Sequence, residues 1–134
     1  MDGVTLTTLK EISNPKGNIF HAIKKSDKEF DGFGEAYFTT IDQNSIKGWK
    51  KHTKMTLNLI VISGEVEFIL YDNNKFLSIK LSPRDNYKRL TVKPNLWVAF
   101  RGIDNENIVL NIANLEYNQE EAINIDLEKI IYEW

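Results

Sequence analysis

The stretch IKGWKKHTKMTLNLIVISGEVEFILY, residues 46–71, decides the fold. Residues 46–62 read as one long strand with room to bend, ending at Ser63-Gly64. Val66, Phe68 and Leu70 then alternate with Glu67, Ile69 and Tyr71, the period of two that a strand imposes. Two strands about so short a turn predict a hairpin, with Gly64 supplying a positive φ. Outward from this block, turns at 14–18, 42–45, 72–75, 82–86, 93–95 and 101–107 separate further candidate strands. These lie at 19–23, 35–41, 76–81, 89–92, 96–100 and 108–115. The tail from Asn118 predicts a helical turn or two, with Asn118 as cap and Glu121 at the third position. Strands punctuated this often predict a sandwich or small barrel.

Composition agrees. The 134 residues fit one domain, expected to span 1–134. Ile, Val and Thr number 16, 6 and 8, against only 5 Ala, so stiff β-branched side chains outnumber the best helix former sixfold. Fourteen Asn and seven Gly supply turns. An all-β domain follows. The absence of cysteine removes thiolate nucleophiles, disulfides and cysteine zinc sites. His21 and His52 stand 31 residues apart, so no helical pair of histidine ligands exists. Net charge is −2, without the basic excess of a nucleic-acid binder. No apolar run approaches the roughly 18 residues of a membrane helix. The first residues lack a basic start and apolar segment. A soluble cytoplasmic protein with no nucleic-acid or membrane partner is expected.

The densest group of reactive side chains is Lys47-Gly48-Trp49-Lys50-Lys51-His52-Thr53-Lys54. Strand parity puts Lys50, His52 and Lys54 on one face, and Lys47, Trp49 and Lys51 on the other. If the first face looks into a barrel, ammonium and imidazole enter together, and a bound anion or carboxylate must accompany them. Otherwise the lysines extend into water from a strand end.

Residues 47–72 resemble the central hairpin of small cupins that act on nucleotide-linked keto sugars. These are the dTDP-4-dehydrorhamnose 3,5-epimerases and the dTDP-sugar 3,4-ketoisomerases. The ketoisomerase stretch Gly-x-His-x-His aligns with Gly48-Trp49-Lys50-Lys51-His52, which keeps the second His and replaces the first by Lys50. Asn14-Pro15-Lys16-Gly17-Asn18-Ile19-Phe20 is similar to a nucleotide-holding epimerase segment, with Lys16 in place of Arg. Lys47 likewise replaces the Arg before Gly48. Residues 92–98 match the layout of the second cupin motif, with Val98 where metal-binding cupins carry His. The ending Ile131-Tyr132-Glu133-Trp134 resembles the epimerases' closing segment.

The resemblance implies a double-stranded β-helix (cupin jelly roll) with a short C-terminal helix. It implies no metal and no cofactor, and a homodimer that exchanges N-terminal strands. It also implies a metal-independent epimerase or isomerase of a nucleotide-linked 4-keto-6-deoxy sugar, serving polysaccharide synthesis. The alternative is a cupin that binds a sugar nucleotide, or has an interaction role, without turnover. A histidine ordinarily titrates near 6.5, close to working pH, so His52 is the candidate base. Lys50 is the candidate cation beside the enolate. The resemblance places an aspartate that orients the base in the tail, where Asp126 is nearest, and puts Asn111 at the position of the epimerases' acidic Tyr. Lys16 and Lys47 are candidates for the diphosphate, Trp49 for stacking on the base or sugar, and Arg89 for a substrate contact.

Overall fold

The computed structural model describes all 134 residues. Its strands are β1 (Val4–Thr8), β2 (Glu11–Ile12), β3 (Ile19–Phe20), β4 (Glu35–Thr40), β5 (Ile46–His52) and β6 (Leu57–Ser63). They continue with β7 (Val66–Tyr71), β8 (Phe76–Leu81), β9 (Lys88–Val92), β10 (Trp97–Gly102), β11 (Ile108–Ala113) and β12 (Ala122–Asn124). Two five-stranded sheets, ordered β1-β9-β6-β11-β4 and β12-β5-β10-β7-β8, enclose the core, and β2-β3 forms a separate ribbon. The strand pairs within them are antiparallel. This is the expected all-β double-stranded β-helix. Its C-terminal helix is reduced to two single 3-10 turns, Gln119–Glu121 and Leu127–Lys129.

The long strand of residues 46–62 is interrupted. The chain leaves the second sheet after His52 and enters the first at Leu57. Nor do β6 and β7 form a hairpin. They belong to opposite sheets, and Gly64, at φ 78°, turns the chain from one to the other. Side-chain parity explains why. Leu57, Leu59 and Val61 face Val66, Phe68 and Leu70 across one core. A hairpin would line all six up on one wall with nothing opposite. Each large apolar side chain buried contributes about 1.5–3 kcal/mol, which outweighs any local turn preference. The hairpin that does form joins β7 to β8.

One irregularity in β5 positions the site. Val98 pairs with Lys50 and Phe100 with Lys47, so Gly48 and Trp49 together oppose Ala99. The extra residue is a β-bulge, which breaks the alternation of faces. Trp49 turns outward, is 1% exposed, and packs with Ile69, Trp97 and Ala99 beneath tail residues Ile125, Leu127, Ile130 and Tyr132. Gly48 lies against the neighbouring strand, where a Cβ would come within 2.5 Å of Ala99 Cβ and 2.9 Å of its Cα. Gly48→Ala is therefore expected to cost about 1–3 kcal/mol through overpacking. A urea titration should show a lower midpoint at unchanged slope, and an unchanged midpoint would contradict the close approach.

Candidate active site

The gap between β5 and β6 is organised by one carboxylate. Glu121, 5% exposed, accepts hydrogen bonds at Oε2 from the backbone N–H groups of Thr53, Lys54 and Met55, at 3.1, 3.0 and 3.2 Å. Its Oε1 is hydrogen-bonded to His52 Nδ1. Thr53 adds two bonds to the Glu121 carbonyl, from its N–H and its hydroxyl, each at 2.8 Å. Burial pushes the Glu121 carboxyl upward. The His52 bond and the Lys54 and Met55 amides outweigh that and hold it below its ordinary range. The carboxylate is thus ionised near neutrality and accepts a hydrogen bond from Nδ1–H. That selects the tautomer whose Nε2 carries a lone pair.

His52 lines a cavity of about 390 Å³ between the two sheets. The second sheet contributes Lys47, Gly48, Lys50, His52, Val98, Phe100 and Asn124, while the first contributes Tyr37, Thr39, Leu57, Leu59, Val109 and Asn111. The walls hold two lysines and no carboxylate, and neither lysine makes an ion pair. Lys47 Nζ donates to the Thr40 carbonyl at 2.7 Å, and Lys50 Nζ lies 5.9 Å from the Tyr117 ring centre. A half-apolar cleft with an uncompensated positive wall suits a ligand that has a small polar ring and an anionic group.

Of the sequence candidates, Lys47, Lys50 and His52 come together here. Parity alone put Lys47 on the far face, and the bulge at Gly48 returns it to the cavity. Four candidates lie elsewhere. Trp49 is sealed under the tail, where its Nε1 donates to the Ile130 carbonyl at 3.1 Å, so its ring has no free face. Arg89 is fully buried on the outer side of the first sheet because Leu90 and Val92 claim the core side. It donates to the Ala22 carbonyl at 2.7 Å and pairs with Asp27 and Glu29. Lys16 is exposed in the turn between β2 and β3, and its N–H donates to the Asn14 side chain at 2.9 Å. Asp126 is exposed at the start of the last 3-10 turn, and the carboxylate on His52 is that of Glu121 instead.

Sequence reasoning cast Glu121 as a capping residue and gave Tyr37 and Asn124 no role. Asn118 does cap its turn, accepting from the Glu120 N–H at 3.0 Å, but the Glu121 side chain turns to His52. The one available signal was parity in β4, which sets Tyr37 and Thr39 on the face opposite Phe38. No group of three His, Cys, Asp or Glu side chains is placed to hold a metal ion. No helix is long and apolar enough to cross a membrane.

Two antiparallel sheets closed on one core make the fold a cupin jelly roll. The chain belongs to the family described as FdtA: WxcM-like, C-terminal, whose profile matches residues 2–130. No curated protein matches. Among solved structures it is similar to a dTDP sugar isomerase from Desulfovibrio desulfuricans G20, at 27% identity over 93% of this chain and 85% of that one, with TM-score 0.89. It shares its fold with QdtA, a sugar 3,4-ketoisomerase from Thermoanaerobacterium thermosaccharolyticum solved with TDP, at 24% identity, coverage of 92% and 88%, and TM-score 0.82. It also shares it with the dTDP-6-deoxy-D-glucose-3,5-epimerase RmlC of Legionella pneumophila, at 14% identity, coverage of 93% and 73%, and TM-score 0.81.

The depressed Glu121 pKa has a consequence for stability. A carboxyl held below its ordinary value of 4.5 in the folded state stabilises fully above that value. The contribution drains away as pH falls through the lower folded value, because there the unfolded chain binds more protons. Glu121→Gln should therefore flatten the acid limb of the stability–pH curve below about pH 4.5. An acid limb identical to wild type would contradict the assignment.

Proposed function

We propose that the chain is a metal-independent epimerase or isomerase of a nucleotide-linked 4-keto-6-deoxy sugar, acting in the cytoplasm for polysaccharide synthesis. The observation that carries this reading is the His52–Glu121 pair set into an electropositive cavity. The fold shared with dTDP-sugar isomerases and epimerases supports it. The sugar ring occupies the cavity. His52 Nε2 removes the proton on carbon beside the ketone, and the imidazolium that forms is stabilised by Glu121. Lys50 stabilises the negative charge that builds on the enolate, and Lys47 holds the phosphate end as a point charge. No cofactor takes part. Residues 1–134 act as a single cupin domain within a homodimer. The exposed turn that carries Lys16 stands free for a second copy.

The test is solvent deuterium exchange into dTDP-4-keto-6-deoxyglucose. Wild type should incorporate deuterium at the carbon beside the ketone. His52→Asn should slow this by at least about 10²-fold, the scale of a lost general base. Glu121→Gln should slow it comparably with the fold intact. Its amide oxygen can keep the backbone bonds, while its NH₂ faces Nδ1 and forces the proton onto Nε2. Thermal stabilisation by the nucleotide sugar with no exchange would overturn catalysis and favour the binding-only reading.

A further inference from the structure

On the cavity wall that carries the base, two polar side chains are already bonded to the protein and two are not. Lys47 donates to the Thr40 carbonyl, and His52 bonds to Glu121. Lys50 and Asn124 line the same wall with no hydrogen bond or ion pair to the protein. They are also neighbours, for Asn124 on β12 sits directly across from Lys50 on β5. The next pair along, Trp49 and Ile125, exchanges both backbone hydrogen bonds, each at 3.1 Å. Bonded and non-bonded pairs alternate in an antiparallel ladder. Lys50 and Asn124 are therefore a non-bonded pair, the kind whose side chains stand closest. Ile125 packs outside with Trp49, so parity turns Asn124 inward. Asn124 is exposed at the cavity edge and supplies that wall's only side-chain oxygen. An ammonium group can only donate, whereas a carboxamide also accepts. Side by side, the two match a pair of adjacent ligand oxygens, of which one only accepts and the other carries a proton.

From this we infer that Asn124 is a specificity residue, selecting a sugar that carries a hydroxyl on the carbon beside the ketone. The inference rests on the reading that His52 removes a proton beside a sugar ketone with Lys50 at the ketone oxygen. In a 4-keto-6-deoxy sugar the two carbons beside the ketone differ. Carbon 3 bears a hydroxyl, while carbon 5 bears the ring oxygen and a methyl group. The carbon 3 hydroxyl and the ketone oxygen are vicinal, so two side chains on paired strands can hold them together. Lys50 Nζ donates to the ketone oxygen, and Asn124 Oδ1 accepts a hydrogen bond from the hydroxyl. As His52 Nε2 takes the carbon-bound proton, the C–H electron pair becomes the carbon–carbon double bond and the carbonyl π pair moves to oxygen. Both oxygens then lie in the plane of that double bond, on one edge of the ring. A fixed pair of partners favours this arrangement over the puckered ground state. Ala122, across from His52, presents only a methyl group and leaves the base room to reach the ring.

The experiment measures kcat/KM for deuterium exchange with two substrates, dTDP-4-keto-6-deoxyglucose and its 3-deoxy analogue, dTDP-4-keto-3,6-dideoxyglucose. Wild type, Asn124→Ala and Asn124→Asp are compared, beside thermal melts of all three. The readout is the ratio of the two kcat/KM values, because any intrinsic difference in reactivity between the sugars cancels when ratios are compared between variants. Asn124→Ala should lose about tenfold on the hydroxylated substrate, the scale of one solvent-accessible hydrogen bond, and nothing on the analogue, with its melt unchanged. Its ratio therefore falls about tenfold. Asn124→Asp keeps the accepting oxygen but sets a carboxylate beside Lys50. It should slow both substrates alike and hold the wild-type ratio. A wild-type ratio in Asn124→Ala, alongside active wild type and inactive His52→Asn, would overturn the role of Asn124 and leave the base standing. Absence of exchange by wild type with either substrate would overturn the reading beneath it, and this inference with it.

Discussion

A single buried carboxylate ties the tail of the chain to its centre. Glu121 lies 69 residues from His52, yet its two oxygens hold the imidazole and the amides of residues 53–55 together. Those amides belong to the segment where the chain crosses between sheets, and in a continuous strand they would pair with a neighbour. Buried N–H groups without a partner are costly, so the crossover depends on an acceptor arriving there. The same acceptor sets the tautomer of the candidate base. Folding and chemistry thus share one interaction, and the site exists only when the last strand is in place.

The bulge in β5 is the second constraint. It lets Trp49 anchor the tail on the outer face while Lys47, Lys50 and His52 all reach the cavity. Without the extra residue at Gly48, parity would divide these cations between core and surface. No carboxylate lines the cavity to balance them, so it stays positive and suited to an anionic ligand.

The all-β fold was legible in the turn spacing and the β-branched composition, and strand parity paired Lys50 with His52. What stayed hidden depended on contacts distant in sequence. A Ser-Gly turn between strands looks like a hairpin whether its arms pair or diverge, and only the opposing core decides. Glu121 and Asp126 both carry a carboxyl group and lie five residues apart, and nothing local says which one meets His52. Arg89 and Trp49 looked like binding residues because their types suit ligands, but each spends its polar group on a backbone carbonyl. Tyr37 meets Asn111, 74 residues away, through an amide whose orientation is set by a third strand.

Glu121 beside His52 accepts the Nδ1–H bond, which leaves the lone pair at Nε2. Nitrogen-15 NMR of the His52 ring near neutral pH reads this directly. A proton on Nδ1 and a lone pair on Nε2 are expected, with the pattern reversed in Glu121→Gln. A wild-type ring protonated at Nε2 with Nδ1 bare would contradict it.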